Sequence, residues 1–230
     1  EVAHIAGSLA APYSKWRGPK DNPGKLPSEE ALTGLVRSLG IDAATPVVVV
    51  YEGSSATDFG AAARVYWTLK AAGVARLSIL NGGVKAWRAA NLPLVTEVPT
   101  VAPSSFTVKI DPALVATQDE VASVIGRSNV RLLDARPSSY FFGETRHAAA
   151  KTPGTLAGAK NVDQAVWFAQ ESGALLPAVD VKRIAQDNGL QTDQPTVSFC
   201  NTGHWAATNW FVLSEVLGQK DVKLYPESTV

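Results

Sequence analysis

The chain has no methionine, one cysteine and three histidines in 230 residues. A lone cysteine excludes an internal disulfide and cannot by itself form a thiolate zinc cage. His4, His147 and His204 are scattered, so no metal is expected, and nothing calls for an organic cofactor. The 21 basic and 21 acidic side chains cancel, leaving none of the basic footprint of a nucleic-acid binder. No apolar run approaches a membrane span; the longest strong one, residues 47–51, has strand length. Without methionine there is no start residue, and Glu1-Val-Ala-His-Ile-Ala-Gly reads as the middle of a domain. We therefore expect a trimmed or processed chain, and prefer a periplasmic protein to a cytosolic one, although a free thiol suits either compartment.

What is present is ample apolar material. Hydrophobic residues make up 46% and charged residues 18%, which predicts a packed globular core. The length is comfortable for two domains. Strands and helices alternate, which argues for parallel sheets wrapped by helices. Residues 47–51 read as a strand covered on both faces, followed by a helix over 57–72 that stops at Gly73. A strand over 76–80, a turn at Asn81-Gly82-Gly83 and a short helix over 84–90 come next. Residues 97–112 are rich in Pro, Ser and Thr and read as a connecting stretch. Thr117-Gln-Asp-Glu120 is a capping-box start, residues 131–134 and 196–199 read as strands, and a helix starts near Asp180. A last helix over 205–217 and a strand over 222–225 complete the pattern.

Cys200 lies where the strand over 196–199 gives way to the last helix. A tight loop there, with Gly203 at its middle, is predicted to turn the amides of Asn201, Thr202, Gly203, His204, Trp205 and Ala206 inward. A thiol beside such amides and a helix start ionises easily and is accessible, and an anion can bind there. The alternative is a buried structural cysteine. The two halves also repeat each other: His4-Ile-Ala-Gly-Ser-Leu matches Thr155-Leu-Ala-Gly-Ala-Lys, and residues 47–51 match 195–199. The first half has Glu52-Gly-Ser-Ser-Ala-Thr-Asp where the second has Cys200-Asn-Thr-Gly-His-Trp.

These pieces resemble the tandem-domain rhodanese-like sulfurtransferases, which include thiosulfate and 3-mercaptopyruvate sulfurtransferases. The carriers in the first half are His4-Ile-Ala-Gly, Ala11-Pro-Tyr13, Ala62-Ala-Arg64-Val-Tyr-Trp67 and Leu80-Asn-Gly-Gly-Val-Lys-Ala-Trp87. In the second half they are Leu133-Asp-Ala-Arg136-Pro, Tyr140-Phe-Phe-Gly143, Ala157-Gly-Ala-Lys-Asn-Val162 and the Cys200 loop. The resemblance implies an α/β fold of two rhodanese-like domains, each a mostly parallel sheet with helices on both faces. It puts a non-catalytic domain, truncated at its start, at residues 1–98, a linker at 99–112 and the catalytic domain at 113–230.

The implied chemistry is transfer of sulfane sulfur through a persulfide on Cys200. The partners would be a small anionic donor, thiosulfate before 3-mercaptopyruvate, and a thiol or cyanide acceptor, a thioredoxin-like protein included. No nucleic acid, membrane or second copy of the chain is implied. Cys200 is the nucleophile, and the loop residues 201–206 with Arg146 bind the donor. Thr202 either bonds substrate or caps the following helix. His204 either supplies charge and proton transfer or is a solvated loop residue. Arg146 is an anion ligand or a surface charge. Asp134 with Arg136, and Asp58 and Arg64, read as structural ion-pair residues, and Trp67, Trp87 and Trp210 as core. His4 is read as pinning a turn. A sulfur carrier loaded by a partner is the alternative function. A phosphatase is disfavoured, because the loop is short and has no terminal Arg.

Overall fold

The computed structural model describes residues 3–169 and 173–229; the outer domain limits expected at residues 1 and 230 lie outside the described residues. In the first half, Ser28 caps α1 (Glu29–Ser38) by accepting from the Ala31 amide, and Glu29 and Glu30 lie in its first turn. The sequence reading placed no helix there, although Leu32 and Val36 are four residues apart and both buried. Strand β1 (Val47–Val49) leads into α2 (Ala56–Ala71), which Ser55 caps from its side chain. Strand β2 (Leu77–Ile79) then pairs in parallel with β1, Val47 against Leu77, and α3 (Gly83–Ala89) follows.

The expected connecting stretch is extended and strapped to α1: Arg37 donates to the Phe106 carbonyl at 2.6 Å, and the Val108 amide to Thr33 Oγ1 at 3.0 Å. In the second half, α4 (Gln118–Val124) starts with a complete capping box between Thr117 and Glu120. Strands β3 (Arg131–Asp134), β4 (Lys160–Asn161), β5 (Thr196–Phe199) and β6 (Val222–Leu224) form one parallel sheet in the order β4-β3-β5-β6. Helix α5 (Ser138–Phe141) follows β3, and α6 (Ala178–Asp187) precedes β5. The last helix is not one continuous α-helix. It is α7 (Trp205–Phe211) followed by a π-helical turn, Val212–Val216, closed by the Leu217 amide on the Val212 carbonyl.

Both-face cover holds for β3 and β5, whose residues are all buried, but not for β1. Val48 is 57% exposed. The reason is a missing neighbour. Strand β5 is flanked by β3 and β6, whereas among the described residues β1 pairs with β2 alone. Beside β1 lies a cavity of about 750 Å³, lined by Ile5, Leu9, Val47, Val49, Ala62 and Val65 among others. The main core is common to both halves. Helix α2 packs on α7, and Phe59, Tyr66 and Trp67 join Trp167, Trp210 and Leu213 in one cluster. Each such large apolar side chain contributes roughly 1.5–3 kcal/mol on burial.

Candidate active site

Strands β3 and β5 end side by side, and Cys200 is the first residue beyond β5. The carboxyl edge of a parallel sheet is where α/β proteins bind ligands, because the loops there leave the sheet and can be shaped freely. The Cys200 loop turns at Gly203, whose φ is +65°, as the sequence led us to expect. There is a second demand for glycine. A Cβ at Gly203 would lie 2.4 Å from Arg64 Nη1 and 2.4 Å from the Pro226 carbonyl oxygen.

Two expectations about the sulfur are corrected. Cys200 is 1% exposed, not accessible. The segment after β6 folds over it. Ser228 Oγ accepts from the Cys200 amide at 2.9 Å and from the Gly203 amide at 3.2 Å, and Thr229 Oγ1 donates to the Cys200 carbonyl at 3.0 Å. The Gly203 amide is thus directed at a serine oxygen and not at the sulfur. Ser228 was not foreseen; its own φ of +60° and its bond to the Tyr225 carbonyl arise only once the chain has folded back onto the loop.

From the second half, Asp134 and Arg136 hold the loop's other flank. Both are nearly fully buried, and Arg136 Nη2 lies 2.6 Å from Asp134 Oδ2. The Thr155 hydroxyl also donates to Asp134 at 2.7 Å, and Arg136 donates to Asn201 Oδ1 at 3.2 Å and to the Gly154 carbonyl at 2.8 Å. This is the structural ion pair the sequence suggested. A buried pair so fully hydrogen-bonded is costly to break from one side.

From the first half come residues to which the sequence reading gave no part in the site. A 3-10 turn, Tyr13–Trp16, is anchored by the buried Trp16 and presents Tyr13 and, just after it, Arg17. Arg17 donates to the Tyr13 hydroxyl at 2.5 Å and to the Thr202 carbonyl at 2.9 Å. Arg64 on α2 is fully buried, and among the described residues neither it nor Asp58 makes an ion pair, which corrects the sequence reading. Asp58 instead accepts from the Gly53 and Ser54 amides at 2.8 and 3.0 Å. Arg64 donates to the carbonyls of Gly203 at 3.2 Å and Gly24 at 2.7 Å. One signal for it was available: a charged residue inside an otherwise apolar helical run, Ala62-Ala-Arg64-Val-Tyr-Trp67, is rarely buried without a purpose.

His204 is neither a solvated residue nor a cation. The Tyr13 hydroxyl lies 2.7 Å from its Nδ1, and its Nε2 lies 2.7 Å from the Thr57 carbonyl. Nε2 must carry a proton to bond a carbonyl, so Nδ1 accepts from Tyr13. Burial pushes the imidazole down to about 4, and Arg17 and Arg64 add to the effect, so the ring is neutral at neutral pH. Trp205 donates to Thr57 Oγ1 at 3.2 Å and meets the Tyr140 ring edge to face. Ala206 is buried, and its carbonyl accepts from the Ser198 hydroxyl. No side chain caps α7, so Thr202 does not cap it; its carbonyl takes up the arginines. Arg146 is exposed and donates to the Ala150 carbonyl at 2.5 Å; none of its described contacts is with the Cys200 loop. Trp67 and Trp210 are core residues, while Trp87 is half-buried. His4 bonds the Glu97 carbonyl at 3.0 Å.

A family profile described as the Rhodanese-like domain matches residues 117–229. A protein of Mycobacterium tuberculosis named "Putative thiosulfate sulfurtransferase" is 30% identical over 236 residues, covering 98% of this chain and 81% of its own length. The 3-mercaptopyruvate sulfurtransferase of Rattus norvegicus is 29% identical, covering 89% of this chain and 68% of its own length. Among solved structures, SseA of Escherichia coli, described as a 3-mercaptopyruvate sulfotransferase with the rhodanese fold, superposes with a TM-score of 0.84 at 25% identity, over 98% of this chain and 83% of its own. EanB bound to ergothioneine superposes with a TM-score of 0.84 at 19% identity, a likeness of fold alone; this chain spans 57% of its length.

Proposed function

The chain belongs to the rhodanese-like sulfurtransferases, and on that premise we propose that Cys200 carries sulfane sulfur from a small anionic donor, thiosulfate first, to a thiol or cyanide. The observation that supports this reading most directly is the position of the only thiol: at the carboxyl end of β5, on a loop held by residues of both halves. The Cys200 thiolate attacks the outer sulfur of thiosulfate. A new S–S bond forms, the bond from that sulfur to the sulfonate breaks, and sulfite leaves with the electron pair. Cyanide or a thiolate then attacks the outer sulfur of the persulfide, and the Cys200 thiolate is regenerated. With 3-mercaptopyruvate the leaving group is the enolate of pyruvate, which takes up a proton.

The low exposure of Cys200 requires the donor to enter by displacing part of what covers the sulfur. The Ser228–Thr229 segment, bonded to the Cys200 amide and carbonyl, is part of that cover.

The test is mass spectrometry of the intact protein after exposure to thiosulfate or 3-mercaptopyruvate, with thiocyanate formation as the turnover assay. The wild type is expected to gain the mass of one sulfur, mapped to the Cys200 peptide. Cys200→Ser is expected to gain none and to lose turnover by several orders of magnitude, because a serine hydroxyl is scarcely ionised and forms no persulfide. Retained turnover in that variant would remove the proposal. Faster loading by 3-mercaptopyruvate would reverse the order of donors.

A further inference from the structure

The end of the second-half sheet opposite Cys200 gathers cations without anions. Strands β3 and β5 begin side by side, with Arg131 next to Thr196, and Leu133 lies next to Lys160 of β4. Side chains two apart on a strand share a face, as do those paired across strands, so Arg131 and Lys160 leave the same face from backbone positions about 8 Å apart. A hollow of about 280 Å³ opens there, lined by Arg127, Ser128, Arg131, Lys160, Thr192 and Gln194 among others. None of its lining residues carries a carboxylate. Asp187 and Asp193 are near in the chain, yet among the described residues Arg127, Arg131 and Lys160 make no ion pair.

Arg131 is the informative member, because it is 8% exposed. A guanidinium withdrawn from water needs an opposite charge or a full set of acceptors. Its Nη1 donates to Thr196 Oγ1 at 3.2 Å and its Nη2 to Thr192 Oγ1 at 2.9 Å. Both acceptors are neutral hydroxyls, and a guanidinium has more N–H groups than these bonds occupy. The fork is also held in place. Thr196 gives its own hydroxyl proton to the Gln194 carbonyl at 2.8 Å, and Gln194 Nε2 ties that segment to the Ser128 carbonyl at 2.8 Å. Lys160 Nζ stands over Gly189, 3.1 Å from where a Cβ would lie. Glycine at 158 and 189 keeps two parts of the lining free of side chains. The end of α6, just before Gly189, offers Lys160 the negative end of a helix dipole. That favours a single cation, and only within the last turn; it does not account for three.

We propose that this hollow binds a doubly charged tetrahedral oxyanion, phosphate or sulfate, free or carried on a small molecule, with Arg131 as the buried fork and Lys160 and Arg127 at the rim. A guanidinium presents parallel N–H bonds to two oxygens of such an anion, and an ammonium adds a point charge. The hollow is smaller than a typical cofactor cleft, which fits a small anion. Thr196 and Cys200 stand at opposite ends of β5, about 13 Å apart along the strand, so the site is independent of the sulfur chemistry.

The experiment is calorimetric titration of the full chain with sodium phosphate and sodium sulfate at pH 8, where phosphate is a dianion, and at constant ionic strength. The wild type is expected to bind one anion per chain, saturably. Lys160 and Arg127 are exposed, so replacing them spares the fold. Lys160→Met is expected to weaken binding about tenfold and Arg127→Met about threefold, while Arg76→Met, which removes an exposed cation of the other half, leaves it unchanged. Arg131→Met is expected to abolish binding, with far-UV circular dichroism reporting its fold; if it does not fold, the two rim variants decide. Glycerol phosphate separates the two sources: weaker binding than inorganic phosphate marks a site for the free anion, and equal binding marks one for a phosphate group on a larger molecule. No saturable binding by the wild type overturns the proposal. So does wild-type affinity in Lys160→Met and Arg127→Met, which would put the anion elsewhere, the Cys200 loop included.

Discussion

His204 stands three residues before Ala207 in the loop that follows Cys200, and its ordinary ionisation at 6.5 is pushed down to about 4 by burial. In the unfolded chain it takes up a proton near 6.5; in the folded chain it does so only near 4. Between those values the unfolded state binds more protons, so stability falls as pH drops from about 6.5 towards 4 and is unaffected above that window. The full effect is at most about 3 kcal/mol, and about half of that once partial exposure of the ring is allowed for. The urea midpoint is therefore expected to fall between about pH 7.5 and about pH 5, and His204→Asn to remove most of that fall. An identical fall in both proteins would show that the ring is not held neutral by the fold. The sequence left this residue open between a cation and a solvated side chain. Its fate depends on Tyr13 and Thr57, which are 191 and 147 positions away, and no local pattern encodes that.

Helix α2 shows packing overriding propensity. Gly60 lies within it, where alanine would ordinarily add about 1 kcal/mol of helix stability. A Cβ there would come within 2.9 Å of His204 Cδ2 and Nε2. The ring is wedged between Tyr13 and the Thr57 carbonyl, so it cannot yield without losing a hydrogen bond. Gly60→Ala is expected to destabilise by about 1–3 kcal/mol, as overpacked cores do, and to slow sulfur transfer. Gly34→Ala on α1 is the control, because a Cβ there meets nothing within 4 Å; it is expected to raise the melting temperature slightly. Equal stabilisation by both would dismiss the wedge. A glycine inside a helix does not by itself mark a close approach: Gly34 and Gly60 look alike in sequence, and only the packing separates them. Other elements were legible to the residue: β3 and β5 fall where the apolar runs put them, and Thr117 caps as its capping box predicts. Strand β1 was misread as covered because its Val-Val-Val run looks like a buried strand. Sequence reports what a strand could be buried by, not whether a neighbour is there.

At the scale of the whole molecule the halves do not keep separate interiors. Phe59, Tyr66 and Trp67 of the first share a cluster with Trp167 and Trp210 of the second, and Glu215 accepts from Tyr66 and Lys70 at 2.6 Å each. Urea unfolding is therefore expected as one transition, with tryptophan fluorescence and far-UV circular dichroism coinciding, since neither half can open without exposing the other's core. Two resolved transitions would show the halves to be independent. The sequence by itself determined most of the strands and helices, though not α1, α5 or β4, and the place of Cys200 at the end of a strand. Those follow from hydrophobic period, caps and turns, which act over a few residues. Only the tertiary structure decided that the sulfur is buried, that Ser228 takes the Gly203 amide, and that Arg17 and Arg64 clasp the loop across 185 and 139 positions of chain. Such contacts are set by close packing between surfaces far apart in the chain, and no short-range rule specifies which side chain will meet which.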